Sequence, residues 1–225
     1  MSFVRAQLTN SLSSKRTKRS TIVENTTNGL NRNLALMKSV SEKSGVHIIA
    51  GTGFYIEDLQ ADNVRHFAQE EIYNHMVKEL TVGCDGDHSV KAGFMGEIAS
   101  VWPLRGTLLE DEQLLEFAKL GAYCQLDLFG VEVSYYQLNI DTDMPSDAQR
   151  LQKVKLLIDE GHENRVLMSH DIHTKHRLTT YGGHGYAHIL NNILPRMKSK
   201  GISNEKIDLI TIENPADWLI GSTSP

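Results

Sequence analysis

The sequence has 225 residues, of which 40% are hydrophobic and 23% are charged, the composition of an ordinary globular protein. A formal net charge of -5 gives no field that would draw the whole surface to nucleic acid or to an anionic membrane. Cys84 and Cys124 are far apart in the sequence, so neither a disulfide framework nor a cysteine zinc site is indicated. With no apolar leader and no long apolar run, we expect a cytoplasmic protein in a reducing compartment.

Residues 1–20 are rich in Ser, Thr, Arg and Lys and follow neither a strand nor a helix period. This pattern predicts a mobile leader, followed by one domain that covers residues 21–225. The basic run at residues 15–19 indicates a solvated tail. Nucleic-acid binding through that run is a distant alternative.

From Thr21 onward, short apolar strands alternate with amphipathic helices that end at glycines. This order predicts an α/β fold of parallel β/α units joined by right-handed crossovers. About five strands are present, a number that leaves a TIM barrel and a doubly wound sheet open. The predicted strands are 21–27, 47–55, 92–100, 122–129 and 165–171; the predicted helices are 30–41, 64–80, 107–120, 147–160 and 184–200, and 203–219 closes the chain.

Two carboxylates, Glu97 and Asp171, stand at the far ends of apolar strands, where parallel α/β proteins place their functional groups. A solvated strand-end acid is the simpler alternative for each. Asp171 also belongs to residues 170–177, which gather three histidines, an acid and two cations. Because neighbouring residues of a strand face opposite ways, His170 and Asp171 cannot both point inward, and we take Asp171 as the inward group.

His184 and His188 are spaced to share one face of a helix and could reach one metal ion. No third ligand and no intervening glutamate accompany them, which favours surface or capping histidines. The sequence contains no Gly-x-Ser-x-Gly elbow, no P-loop and no dinucleotide fingerprint. Metal chemistry is therefore the reaction class that remains.

Several segments together resemble phosphotriesterase-related proteins of the amidohydrolase superfamily. The resemblance extends from about residue 20 to the C-terminus and ends in a closing motif at residues 214–219. The segments that carry it are TIVENTTNGL (21–30), AGTGFY (50–55), GEIASVWPL (96–104), LMSHDIHTKHRLTTYGGHGY (167–186) and NPADWL (214–219).

The resemblance implies a TIM barrel that holds two divalent metal ions, usually zinc. By the same resemblance, Glu97 matches the bridging metal ligand on the fourth strand. Asp171 matches the eighth-strand aspartate, which binds the metal and takes the proton of the metal-bound water. Tyr55 falls where the family places a substrate-lining residue.

The sequence also departs from the family pattern. No His-x-His precedes Thr21, and the chain passes from Leu104 to Thr107 almost directly, without the segments that resemble the fifth and sixth strands. Four histidine ligands are therefore absent. We expect an incomplete TIM-barrel-like fold that lacks the first, fifth and sixth strands, with an incomplete zinc centre.

Two functions follow from this comparison. The first is a zinc-dependent hydrolase of ester or amide bonds with an organophosphate, lactone or N-acyl amide substrate, whose activity is weakened by the missing histidines. The second is a noncatalytic remnant or isoform that binds a ligand or a protein. The expected partner is a small-molecule substrate rather than nucleic acid or membrane, and a homodimer is left open.

Overall fold

The structure is a computed structural model that describes residues 6–9, 21–55, 60–62, 64–96, 110–136 and 139–220. The chain divides into two compact units, Met1–Leu104 and Arg105–Pro225. No helix within the described ranges is both long and apolar enough to cross a membrane.

The first unit contains a four-stranded sheet in the order β1-β2-β3-β4. β2 and β3 run parallel with Ile22 opposite Ile48, and β3 and β4 are also parallel. This parallel pairing confirms the predicted α/β arrangement, in which the helix after β2 crosses over to β3. The strands are β1 (Ala6–Thr9), β2 (Thr21–Glu24), β3 (His47–Thr52) and β4 (Phe94–Met95).

β1 lies inside the segment for which no strand was predicted, so that expectation was wrong over Ala6–Thr9. It pairs antiparallel with β2, with Leu8 opposite Ile22. A strand of four residues is too short to show a period, and it depends on long-range pairing that the local sequence does not reveal. The mobile leader and the domain boundary at residue 20 remain predictions.

Two α-helices accompany this sheet, α1 (Leu34–Ser44) and α2 (Gln69–Thr81). The Asn33 side chain caps α1 by accepting from the backbone N–H of Leu36 at 2.9 Å. Gly45 ends α1 with φ 70°, a left-handed conformation that glycine adopts at low cost. The helix predicted from residue 64 is split, because a 3-10 turn at Val64–His66 precedes α2.

The second unit contains two pairs of strands. β5 (Cys124–Leu126) and β8 (Val166–Met168) are parallel, with Leu126 opposite Met168. β6 (Tyr135–Tyr136) and β7 (Asn139–Asp143) form an antiparallel ribbon that the sequence analysis did not predict. Short, polar strands of this kind give little hydrophobic pattern to recognise.

Five α-helices of the second unit are described: α3 (Asp111–Lys119), α4 (Asp147–Asp159), α5 (Leu194–Ser199), α6 (Asn204–Asp208) and α7 (Asn214–Ile220). Five-residue π-helical segments precede α5 and α7, at Ile189–Ile193 and Leu209–Glu213. Pro195 and Pro215 follow them closely in the sequence. A proline lacks the N–H for an α-helical bond, and a wider turn accommodates that loss.

The core of the second unit lies between the β5–β8 pair and the helices. Cys124, Leu126, Val166 and Met168 are all buried in this cluster. The intervening Gln125 is exposed, as the alternation of a strand requires. One face of β5–β8 thus packs on helices, and the strands of the described residues form separate sheets rather than a closed barrel.

Candidate functional site

Asp171 follows the C-terminal end of β8 and has an unusual backbone conformation. Its φ is 49°, in the left-handed region, and its side chain is 13% exposed. Non-glycine residues rarely adopt this conformation, because it costs free energy that the surrounding structure must offset. Such residues are found more often at functional sites than elsewhere, so the conformation of Asp171 is consistent with its predicted role.

The backbone carbonyl of Asp171 is held by a nearby loop. Arg177 Nη1 donates to the Asp171 carbonyl oxygen at 2.6 Å. His173 Nδ1 lies 2.9 Å from the same oxygen and 3.4 Å from Asp171 Oδ2. When His173 carries its proton on Nδ1, two donors converge on one carbonyl, and in the other tautomer Nδ1 accepts from Arg177 at 3.0 Å.

His170 is fully buried, and its contacts lie on the helical side. Its Nε2 accepts from the backbone N–H of Ile189 at 2.9 Å, which places the proton on Nδ1. That Nδ1 atom is buried and has no hydrogen-bond partner in the described chain. Burial, followed by the neighbouring His184 and His188, lowers the pKa of His170 to about 3, so the ring stays neutral at physiological pH.

His184 and His188 pack with His170 instead of capping a helix at the surface, so that interpretation was wrong. The three ring centroids lie between 5.5 and 6.3 Å apart. His188 Nε2 is 2.7 Å from Asp147 Oδ2. Sequence spacing alone could not reveal this packing, because it depends on His170 facing the segment that contains His184, His188 and Ile189.

The predicted zinc ligands do not form a zinc centre within the described residues. The one group there with three closely placed ligand atoms is His75, Glu79 and Asp85, in the first unit. Glu79 is already bonded through both oxygens to Arg32, which competes with a cation. Asp171 belongs to no such group of three within the described residues, whereas zinc takes three or four protein ligands.

The other predicted site residues are less defined. Glu97 lies outside the described residues. Tyr55 follows β3 in the first unit, where its backbone N–H donates to the Asn28 carbonyl at 3.0 Å and its carbonyl accepts from Gln60. Asp171 belongs to the second unit, so a common site for Glu97, Tyr55 and Asp171 remains a prediction.

Asp127 is a candidate that the sequence analysis missed. It directly follows β5, and because β5 and β8 are parallel, Asp127 and Asp171 lie at the same edge of this pair. The next residue, Leu128, has φ 63°. Burial lowers the pKa of Arg150, and the charges of Asp147 and Asp127 oppose that shift. Asp127 could have been identified from the sequence, because it follows an apolar strand in the same way as Asp171.

Comparison with known proteins identifies relatives of this chain. The family model described as Phosphotriesterase family matches residues 1–112 and 104–219. The first match includes the segment predicted as a leader. The two matches meet at residues 104–112, where the sequence analysis located the omitted fifth and sixth strands.

Curated relatives agree with this match. A phosphotriesterase-related protein from Aedes aegypti is 43% identical over 259 residues, which cover 88% of this chain and 73% of the relative. N-acetyltaurine hydrolases from Bos taurus and Homo sapiens are 40% and 38% identical, each covering 88% of this chain and 72% of the relative. The 259-residue alignment exceeds the 225 residues of the chain, so the Aedes relative has aligned residues that this chain lacks.

Solved structures share the fold. A resiniferatoxin-binding protein from Rhodobacter sphaeroides superposes with a TM-score of 0.83 at 22% identity, covering 91% of this chain and 72% of that one. A phosphotriesterase homology protein from Escherichia coli gives a TM-score of 0.76 at 24% identity, covering 88% and 83%. The parallel β/α units therefore form an incomplete TIM-barrel-like fold, as predicted.

Proposed function

Because the chain belongs to the phosphotriesterase family, we propose that it derives from metal-dependent hydrolases of N-acyl amides and retains their proton-handling acid at Asp171, beside an incomplete metal centre. The observation that supports this proposal is the left-handed backbone of Asp171 at the end of a parallel strand. TIM-barrel enzymes present their catalytic groups from this position. Left-handed non-glycine residues also cluster at functional sites, which supports a role for Asp171 beyond that of a solvated acid.

The relatives favour an amide as the substrate. Proteins named N-acetyltaurine hydrolase are 37% to 40% identical to this chain. The organophosphorus hydrolase from Deinococcus radiodurans is 23% identical, which informs the fold alone. N-acetyltaurine joins an acetyl group to an amine through an amide and carries a sulfonate, so we take small anionic N-acyl amides as the substrate class.

Hydrolysis of an amide requires a group that transfers protons. Amide hydrolysis requires removal of a proton from the attacking water and delivery of one to the leaving amine. An aspartate can do both in turn, and the carboxylate of Asp171 is mostly shielded from solvent. The described residues do not fit zinc, so no step is derived through a metal.

The incomplete centre follows from the available ligands. The sequence has no histidine between His88 and His162, the stretch that contains the junction after Leu104. Glu97 and Asp171 would offer two carboxylates without the imidazoles that zinc prefers, a set better suited to weakly held magnesium or calcium. We therefore expect this chain, as it stands, to show no hydrolysis above that of a variant without these two carboxylates.

A noncatalytic binding protein is the second candidate, and the same shortage of histidines favours it. In that case Asp171 and its loop would bind the substrate or a related anion without cleaving it. A small-molecule partner is common to both candidates. A cytoplasmic location belongs to the proposal as well, and the free, buried Cys84 and Cys124 support a reducing compartment.

Metal content and hydrolysis test the proposal together. After dialysis the purified chain should hold well below one zinc ion per molecule by elemental analysis. Hydrolysis of N-acetyltaurine should not exceed that of a Glu97→Gln/Asp171→Asn double variant, with the Bos taurus N-acetyltaurine hydrolase as positive control. Restoring the omitted segments from that relative should recover zinc and turnover. Two tightly held zinc ions in the chain as it stands would contradict the incomplete centre.

Calorimetric titration separates the two candidates. Binding of N-acetyltaurine that is lost in Asp171→Asn, without cleavage, would favour the binding protein. Cleavage that is lost in the same variant would favour the hydrolase. Neither binding nor cleavage, in the chain or in the form with restored segments, would refute the N-acyl amide assignment.

A further inference from the structure

We propose that Arg177 is a positioning residue that holds Asp171 in its left-handed backbone conformation and so sets the direction of its carboxylate. This inference rests on the proposed function for the role of Asp171, while the contact between the two residues stands on geometry alone. Arg177 Nη1 donates to the Asp171 carbonyl at 2.6 Å. The bond links residues six positions apart and closes a compact loop.

The conformation of Asp171 needs such support. At φ 49° the chain leaves the extended path of β8, in a region that single aspartates adopt more readily than most residues and that local hydrogen bonds support. A hydrogen bond to the carbonyl of Asp171 itself fixes the orientation of the peptide group that follows. Because the side chain projects from the same Cα atom, we infer that holding this peptide group also restrains the direction of the carboxylate.

Arg177 can hold Asp171 in place because its own backbone is fixed by neighbouring residues. It ends the 3-10 turn Lys175–Arg177, and its carbonyl accepts from the backbone N–H of Gly185 at 2.8 Å. A Cβ atom on Gly183 would lie 2.1 Å from the Arg177 carbonyl carbon, so only glycine allows this approach. The guanidinium therefore extends from an anchored point to the Asp171 carbonyl.

His173 supports the same geometry but cannot replace Arg177. Its Nδ1 is 2.9 Å from the Asp171 carbonyl and 3.0 Å from Arg177 Nη1. Histidine donates from Nδ1 in only one tautomer, whereas arginine is always a donor. The constant partner of the carbonyl is thus Arg177.

The test uses the full chain and three variants. Arg177→Met removes the donors and keeps an apolar stem, and Arg177→Lys keeps a charge and a donor. Arg196→Met is the control, since Arg196 is exposed on α5. The readouts are the HN–Hα coupling of Asp171, which reports φ, and its carbonyl ¹³C shift, which reports the hydrogen bond. Circular dichroism checks that each variant is folded.

Arg177→Met should change both Asp171 signals, Arg177→Lys should restore them in part, and Arg196→Met should leave them unchanged. Unchanged Asp171 signals in a folded Arg177→Met would overturn the proposal. If that variant does not fold, Arg177→Gln, which retains a shorter amide donor, is measured with the same criteria. These readouts need neither metal nor turnover.

A second assay tests whether the contact between Arg177 and Asp171 affects catalysis. It measures hydrolysis of N-acetyltaurine by the chain with the omitted segments restored. There, Arg177→Met should lower kcat on the order of 10²-fold with KM little changed, because misplacing a reacting group costs about that much. A loss in KM alone would show that Arg177 binds substrate and would overturn the positioning role. Normal hydrolysis by Asp171→Asn would refute the proposed function. Changes in the coupling and the carbonyl shift of Asp171 in Arg177→Met would still establish that Arg177 positions Asp171.

Discussion

Arg32 donates from both terminal nitrogens of its guanidinium to the two carboxylate oxygens of Glu79, a residue with no exposed surface. Thr52 Oγ1 and the backbone N–H of Asp85 also donate to this carboxylate. The bidentate pair links the segment before α1 to α2 across 47 positions of sequence. Such geometry makes the pair a structural connection of the first unit.

Glu79→Gln should destabilise the first unit by about 3–5 kcal/mol, because it leaves the largely buried guanidinium of Arg32 without its charged partner. Urea-induced unfolding measures the loss. Glu42→Gln is the matched control on exposed α1 surface and should change stability by about 0.5 kcal/mol or less. An equal loss of unfolding free energy in the two variants would show that the Arg32–Glu79 pair does not stabilise the first unit.

Stability should fall in acid as Glu79 becomes protonated. Burial alone would raise the pKa of Glu79, but hydrogen bonds from Arg32 and Thr52 and the charge of Arg32 lower it from 4.5 to about 2. A lowered folded-state pKa contributes stability that is complete above pH 4.5 and is lost progressively as pH falls towards 2. The contribution is on the order of 3 kcal/mol. The free energy of unfolding, measured with urea from pH 6 to pH 2.5, should fall less steeply with pH in Glu79→Gln than in the unmodified chain. An equally steep fall in both would contradict the role of Glu79.

Asp147→Asn should destabilise the second unit by about 3–5 kcal/mol. Asp147 Oδ1 accepts from the backbone N–H of Gly130 at 2.8 Å and lies 3.2 Å from Arg150 Nη1, with both side chains buried. An amide keeps the shape but removes the charge of the carboxylate from the buried Arg150, whose Nη1 also donates to the Val131 carbonyl at 3.1 Å. Asp159→Asn breaks an exposed pair with Lys155 and should cost less than about 1 kcal/mol in the same unfolding assay. A mild effect at Asp147 would mean that other groups neutralise Arg150.

Gly183→Ala should loosen the loop after β8. The added methyl would meet the Arg177 backbone at 2.1 to 2.4 Å, so the backbone must move. We expect faster hydrogen exchange at the Gly185 amide, which donates to the Arg177 carbonyl. In Gly201→Ala the new methyl meets nothing within 4 Å, and that exchange rate should not change. Unaltered exchange in Gly183→Ala would show that the loop adapts without losing its bonds.

Elements with a strong local pattern were predictable from the sequence. The buried strands β3, β5 and β8, and helices such as α4 with its Ser146 cap, carry apolar runs or capping residues that identify them. Asp171 was proposed as a site residue from its place at a strand end, and that role remains a prediction. β1 and the β6–β7 ribbon were missed because they depend on pairing partners that are distant or too short to show a period.

The details that define the site depend on the folded chain. No sequence pattern reports that Asp171 is left-handed, that His170 turns towards the helices, or that Arg177 approaches the Asp171 carbonyl. Likewise, the Arg32 and Glu79 pair joins residues far apart in the sequence. Conformation, facing and long-range pairing are properties of the assembled structure, whereas residue type and spacing are properties of the sequence.

Two hydrogen bonds within the loop from Asp171 to Gly185 are local: Arg177 donates to the Asp171 carbonyl, and the Gly185 N–H donates to the Arg177 carbonyl. Both bonds join residues at most eight positions apart, so closing this loop costs little chain entropy. The loop is therefore expected to form its bonds without waiting for distant parts of the chain to pair.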